Sequence, residues 1–442
     1  MRSASVIVIG AGVSGLAAAL ALKKRGLDVI VLEAEPRVGG VVRTYRQDGF
    51  LCEAGPNTLM LSKGEVADFL AETGLLASAL DAAPLAKKRF VVQNGKLVAL
   101  PGSPLSFIAS SVLPWKAKAW ILREPFVPPG KENDETLADF VRRRLGEDFL
   151  RELVGPFVSG VYAGDPERLV TRHALPKLFH LEQTHGSLIR GAIRLRRGEA
   201  GPRGRLISWP GGLSELGSNL ADCLEGRLRL STSVSEIKKR DRSFVLRSGN
   251  EEFQADKVIL AVDAASAARL IAPMFPDVSP LESIPYASMS VVHLGFSRAM
   301  IGHPLDGFGA LISRARGIRT LGALFSSTLF PGRAPDGHAL LTVFIGGRLD
   351  PEAISLDDKA LIQTALNDLG PLLQISGAPV FHKIVRWPQA IPQYEKDHSL
   401  ILKTCEAVET ALPGLRLIGN YRRGIAMENC LANGIAAGNA PL

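Results

Sequence analysis

Residues 5–44 read SVIVIGAGVSGLAAALALKKRGLDVIVLEAEPRVGGVVRT, and this stretch decides the fold. The apolar, β-branched run Val6–Ile9 predicts a strand. It meets Gly10-x-Gly12-x-x-Gly15, an alanine-rich helical pattern follows, and a second apolar run, Val29–Leu32, ends in Glu33. Strand, glycine turn, helix and acid-tipped strand in register are a βαβ unit for a dinucleotide. Gly10 permits the tight turn, Gly12 lets the backbone approach a pyrophosphate, and Gly15 lets helix and strand pack closely. The phosphates would sit on N–H groups at the helix start, among Ala11, Val13 and Ser14. Glu33 would accept hydrogen bonds from a ribose diol.

The residues after Glu33 and Ala34 choose the cofactor. Arg37-Val-Gly39-Gly40-Val-Val-Arg43 resembles the Gly-Gly doublet of flavin-dependent oxidoreductases related to amine oxidases, phytoene desaturases and protoporphyrinogen oxidases. The resemblance implies non-covalent FAD rather than NAD. That family's usual basic residue after the doublet is Val41 here, so Arg37 and Arg43 must supply the charge for the phosphates.

A chain of 442 residues exceeds what one core organises, and two or three domains are expected. The formal charge of +8 favours anionic partners such as acidic headgroups or carboxylated substrates. No basic run interleaved with aromatics points to nucleic acid, and that partner is excluded. The four cysteines, Cys52, Cys223, Cys405 and Cys430, have neither zinc nor disulfide spacing and read as reduced, buried thiols of a cytoplasmic protein. No metal cluster is expected; His173, His180 and His185 read as helix-surface residues. No apolar stretch is long enough to span a bilayer, so a membrane partner would be met at its surface.

The fold expected is α/β. A discontinuous Rossmann-like FAD-binding domain takes residues 1–84, 206–274 and 386–442. A β-sheet-rich substrate domain takes 85–100 and 275–385, and a mainly helical insertion takes 101–205. Within 206–272, Glu252–Gln254 and Val258–Val262 read as separate strands. The stretch Arg190–Arg205, RGAIRLRRGEAGPRGR, reads as a basic surface loop.

Several segments resemble the oxygen-dependent protoporphyrinogen oxidase family in the family's own order. They are Glu53-Ala-Gly-Pro-Asn57, Lys88-Arg-Phe90, Gly160-Val-Tyr-Ala-Gly-Asp-Pro166, Gly307-Phe-Gly309, Phe325-Ser-Ser-Thr-Leu-Phe-Pro331 and Gly419-Asn-Tyr-Arg-Arg-Gly424. The resemblance implies oxidation of a porphyrinogen macrocycle in three hydride transfers to FAD, with oxygen as acceptor and hydrogen peroxide as product. It implies that Arg89 pairs with a propionate and that Leu311, Leu324 and Phe344 sandwich the macrocycle. It adds Gly55, Pro56, Asn57, Thr58, Val234, Trp387, Gly419, Ile425, Ala426 and Met427 to the FAD contacts. A backbone carbonyl in a turn from Gly160 to Gly164 would assist the chemistry. The family's Gly-Asp is Gly419-Asn420 here, so its acidic contact is not carried over. The helical insertion would face a membrane, through Phe107, Trp115 and Trp120 among the apolar residues of Leu105–Arg123. A homodimer is left open. Coproporphyrinogen III is the alternative substrate; an amine oxidase and a non-catalytic lipid-binding protein on this fold are the more distant readings.

Overall fold

The computed structural model describes residues 2–130, 132, 134–197, 204–312 and 317–441. Val6–Ile9 is buried on both faces, as a continuous apolar run in a parallel sheet must be. It lies between two parallel neighbours: Val29–Leu32 on one side and the long strand Glu251–Leu260 on the other. Leu228–Arg229 extends the first edge. Leu415–Leu417 joins Glu251–Leu260 in parallel, and Ser243–Ser248 and Glu236–Arg240 add antiparallel strands. Segments far apart in sequence thus complete one sheet.

Gly10 ends the first strand at φ +100°. The helix Val13–Lys24 that follows has its first ten residues buried, because it is covered on two sides. One cover is the sheet and the other is the final helix, Met427–Asn439. Small residues make this sandwich thin. A Cβ at Gly434 would stand 2.2 Å from Ser14 O, and one at Gly438 would stand 2.6 Å from Ala18 O. The contacts advance together along both helices, so the helices run parallel and the last one extends beyond the start of the first.

A second sheet orders the strands Phe381–Pro392, Tyr286–Ser297, His338–Gly346, Thr320–Phe325, Gly309–Leu311, Phe90–Gln93 and Lys96–Ala99. One face is closed by the helix Asp358–Leu373 through Leu361, Ala365 and Leu369. On the other face Leu311, Gly322 and Phe344 form one cross-strand row, and Leu324 lies two residues along from Gly322. Alternation then puts Leu311, Leu324 and Phe344 on the same face, and all three are half-buried.

Helices dominate residues 104–197. They are tied by a fully buried ion cluster in which Arg144 reaches Glu124 Oε1 at 2.9 Å and Glu182 Oε1 at 2.6 Å. The Glu124 carboxylate also accepts from Leu188 N and Ile189 N, capping the helix Leu188–Arg197. Negative charge at a helix start is favourable.

Three expectations change. Gly160 is not in a turn: it lies inside the helix Gly155–Tyr162, which ends at Ala163 in the left-handed conformation. Glu252–Gln254 and Val258–Val262 are not two strands, because Glu251–Leu260 is continuous and pairs with different neighbours along its length. The basic stretch from Arg190 is helical to Arg197; residues 198–203 lie outside those described. Arginine is a good helix former, and the capped start at Leu188 decides the matter.

Gly434→Ala should therefore destabilise the protein by about 1–3 kcal/mol, as overpacking does. Gly102→Ala, at a loop position whose φ lies outside the left-handed region and whose Cβ site is open, should gain about 0.4–1 kcal/mol. Urea unfolding of the two variants checks the contrast.

Candidate active site

The glycine turn, the doublet loop and the end of the chain meet in one cleft of about 490 Å³, open to solvent. Gly10, Gly12, Val13, Ser14, Glu33, Ala34, Arg37, Gly39, Gly40, Arg43, Val234, Trp387 and Gly419 all line it. Ala11 and Gly15 do not, because they form the turn itself. Ala11 N donates to Glu33 Oε2 at 2.6 Å, and Ala11 O accepts from Gly39 N at 2.8 Å. A Cβ at Gly15 would lie 2.0 Å from Gly10 O, so this glycine is needed for packing alone. Gly12 differs: nothing stands within 4 Å of its Cβ position. The space beside it is the cradle that a side chain would fill and a pyrophosphate needs.

The doublet is held against this turn. Gly39 and Gly40 have φ of +96° and +60°, a conformation that favours glycine, and Gly39 bridges to Gly12. Two cations flank it. Arg37 donates to Val38 O and Gly40 O, and Arg43 donates to the Tyr45 hydroxyl. The Nε atoms of both are buried without a protein partner, as expected of donors meant for a ligand's phosphates. Burial and then the neighbouring Arg43 lower the Arg37 pKa from its ordinary value. These features fit FAD: donors and bare backbone where phosphates would lie, and a carboxylate, Glu33, for the ribose.

The remaining cofactor candidates border the cleft. The loop Gly55–Thr58 is half-buried, with Gly55 packed on Val41 O. Ala54 O accepts from Trp387 Nε1 at 2.7 Å, which fastens this loop to the cleft wall. Ile425 and Ala426 precede the final helix and Met427 begins it; no side chain caps that start, and its Cys430 lines the cleft. The helix therefore offers its positive end there. Sequence reasoning missed Tyr286 and Gln389 in the lining; neither carries a local motif.

A half-buried apolar sheet face adjoins the cleft. Phe344 packs with Trp387 and Ala390, both of which line the cleft. Leu311 lies against Gly160, where a Cβ would meet Leu311 Cδ2 at 2.2 Å, so glycine lets the helix Gly155–Tyr162 close over the leucine. The Gly164 amide reaches Val158 O at 3.5 Å rather than Gly160 O, and Gly164 itself is packed against Gln393 and Leu169. Leu324 packs with Phe308. The exposed Arg89 lies over the Phe308 ring at 5.3 Å. Its neighbour Lys88 is paired with Asp306 at 2.6 Å, whereas Arg89 has no acidic partner among the described residues.

His173 is not the surface residue its sequence context implies. Its Nε2 is 2.9 Å from Ser399 Oγ and its ring meets His398 edge-on at 4.9 Å. Burial and then Arg172 push its pKa down to about 4. No His, Cys, Asp and Glu cluster able to hold a metal occurs among the described residues.

Known proteins agree with this geometry. The sequence model of flavin containing amine oxidoreductases matches residues 13–440. Protoporphyrinogen oxidase 2, chloroplastic/mitochondrial, of Arabidopsis thaliana is 33% identical, over 98% of this chain and 92% of its own length. The coproporphyrinogen III oxidase of Bacillus subtilis (strain 168) is 28% identical, over 98% and 96%. A solved structure from Exiguobacterium sp. 255-15 superposes with a TM-score of 0.81 at 25% identity, covering 99% of this chain and 98% of that one.

Gly12→Val should leave the fold intact, since the side chain enters open space, yet abolish FAD retention. Gly15→Val should fail to fold. The visible absorbance and thermal melt of the purified variants report the two outcomes; a yellow Gly12→Val protein would contradict the assignment of the cradle.

Proposed function

The chain belongs to the family of flavin containing amine oxidoreductases, and from that premise we propose that it is a porphyrinogen oxidase acting on protoporphyrinogen IX in haem synthesis. FAD, when bound, accepts hydride from carbon and passes the electrons on; oxygen is the acceptor we propose. The observation that carries this reading is a half-buried apolar sheet face of Leu311, Leu324 and Phe344, joined to the dinucleotide cleft through the cluster of Phe344 with Trp387 and Ala390, with Arg89, which has no acidic partner among the described residues, over Phe308 nearby.

The chain's own residues then have distinct tasks. The glycine turn and Arg37 and Arg43 hold the pyrophosphate, and Glu33 the ribose. The uncapped start of Met427–Asn439 favours negative charge at the ring end of the cofactor. Leu311, Leu324 and Phe344 orient the macrocycle and exclude water from the reacting carbon. Arg89 takes a propionate with a planar, two-pronged donor set, pre-positioned by Phe308. Gly160 O, left by the Gly164 amide, is a candidate acceptor for a substrate N–H. In domain terms we assign 1–84, 206–274 and 386–442 to FAD, 85–100 and 275–385 to substrate, and 101–205 to the helical insertion.

The protein is proposed to work in the cytoplasm at a membrane surface. No described helix is long and apolar enough to cross a membrane. The insertion does expose Trp115 (72%), Leu122 (74%) and Phe126 (81%), with Trp120 beside Arg123, a mixture suited to headgroups. Phe107, expected to join them, is instead half-buried against Val112 and Leu113, and Phe126 takes its place. Coproporphyrinogen III is the second reading, favoured by the Bacillus relative.

Anaerobic mixing with each porphyrinogen decides the substrate: protoporphyrinogen should bleach the flavin faster, and bleaching by neither would refute the reading. Arg89→Ala should raise KM about tenfold or more without loss of flavin, given roughly 1.5–3 kcal/mol for a charge-assisted hydrogen bond. Arg89→Lys should recover only part. Replacing Trp115, Trp120 and Phe126 by Ser should weaken sedimentation with anionic liposomes while flavin content stays unchanged.

A further inference from the structure

Each two-electron oxidation of a porphyrinogen removes a hydride from carbon and a proton from nitrogen. The apolar face of Leu311, Leu324 and Phe344 has no side chain able to take that proton. The same sheet face does, one step further on. Thr342 is the strand partner of Leu324 on one side and of His293 on the other, so all three side chains point the same way. Ser326 Oγ lies 2.7 Å from Thr342 Oγ1, which lies 3.0 Å from His293 Nδ1.

Ser326 and Thr342 line a small, partly enclosed pocket of about 10 Å³, room for about one water, and Glu53, Asn57 and Arg333 form its other polar walls. Arg333 is 3% exposed and Glu53 4% exposed. The Arg333 Nη2 atom is held by Ser208 Oγ at 2.5 Å and stands 3.4 Å from Glu53 Oε1. Its Nη1 is buried without a partner. A buried guanidinium N–H left unmatched is costly, and a polar cavity of this kind is where an ordered water supplies the missing bond.

We propose that this pocket is a proton-holding site of the oxidation: the proton lost by the substrate nitrogen passes along the Thr342 and Ser326 hydroxyls to a water bound to Arg333 Nη1 and from it to Glu53, which keeps it until oxygen is reduced. This rests on the porphyrinogen reading above. The bridge C–H bond breaks and its electron pair leaves with the hydride to the cofactor. The N–H bond breaks, its pair stays on the macrocycle as a new double bond forms, and an O–H bond forms on the Glu53 carboxylate. Oxygen then gains two electrons and two protons, one carried with the hydride and one from Glu53, and leaves as hydrogen peroxide. Glu53 acts through the water and is a positioning residue.

The surroundings suit this task. Burial raises the Glu53 pKa, while the Thr44 hydroxyl, Arg333 and the Leu213 amide pull it down. Burial pushes the adjacent Cys52 thiol up to about 12 and the His293 imidazole down to about 3. Neither would therefore exchange the proton near neutrality. Arg46 and Glu215 act on Arg333, and Lys383 on Cys52 and His293, from further away.

The test is an anaerobic single turnover of the holoenzyme with protoporphyrinogen in weakly buffered solution containing a pH indicator dye. In the wild type the flavin should bleach with no proton appearing in solution, and an infrared difference spectrum should gain the carbonyl band of a protonated carboxyl. In Glu53→Gln bleaching should slow by about 10²-fold, the infrared band should be missing, and a proton should reach the dye for each flavin bleached. Prompt proton release by the wild type, or wild-type bleaching and proton count in Glu53→Gln, would overturn the proposal. If Glu53→Gln does not yield yellow protein, Thr342→Val decides. It should slow bleaching at least fivefold and release the proton, and wild-type behaviour would overturn the relay. A wild type bleached by no porphyrinogen would remove the substrate reading and this site with it, whereas bleaching with prompt proton release removes this site alone.

Discussion

Backbone contact at the glycine-rich turn is the constraint on which the rest of the structure depends. Gly15 brings the first helix onto Gly10, Gly39 bonds Ala11, and Gly434 rests on Ser14. Two distant parts of the chain, the doublet loop and the last helix, are thereby drawn against one turn, the helix at a distance that no side chain would permit. The cleft is what this contact leaves open. Its empty wall at Gly12 and its unmatched arginine donors lie together because the doublet loop and the last helix have nowhere else to pack.

The second sheet gives the cleft something to act on. One face is committed to a helix and an apolar core, so the other is free to border a ligand. Its rows alternate in character along the strands. Phe344 and Val291 are apolar and share a cluster with Trp387 at the cleft, whereas Thr342 is polar, lines the pocket with Glu53 and Arg333, and bonds His293. A large apolar substrate and a buried proton route are both served by one face, at a separation set by the pleat.

Much of this was legible in the sequence because the signals are local. Periodicity and glycine spacing mark the βαβ unit, and the doublet follows directly. The substrate face was proposed through resemblance: leucines and a phenylalanine in strands read as core until the sheet places them on one half-buried face. What stayed hidden depends on partners far away in the chain. Gly160 and its flanking glycine look like a turn, yet the helix continues because Leu311 fills the space a side chain would need. The arginines after Leu188 look like a solvated loop until Glu124 caps them. His173 takes its environment from Ser399 and His398, which no spacing rule connects to it. Glu53 reads as part of a loop motif, and Arg333, more than two hundred residues on, reads as nothing in particular.

The most direct measurement is a crystal structure of the protein with FAD and a porphyrin bound. The account predicts the pyrophosphate beside Gly12, between Arg37 and Arg43. It predicts the macrocycle lying on Leu311, Leu324 and Phe344, one propionate on the Arg89 guanidinium, and a water on Arg333 Nη1 in the small polar pocket beside Glu53. A macrocycle bound away from that sheet face, or a dinucleotide lying elsewhere than along the glycine turn, would contradict it.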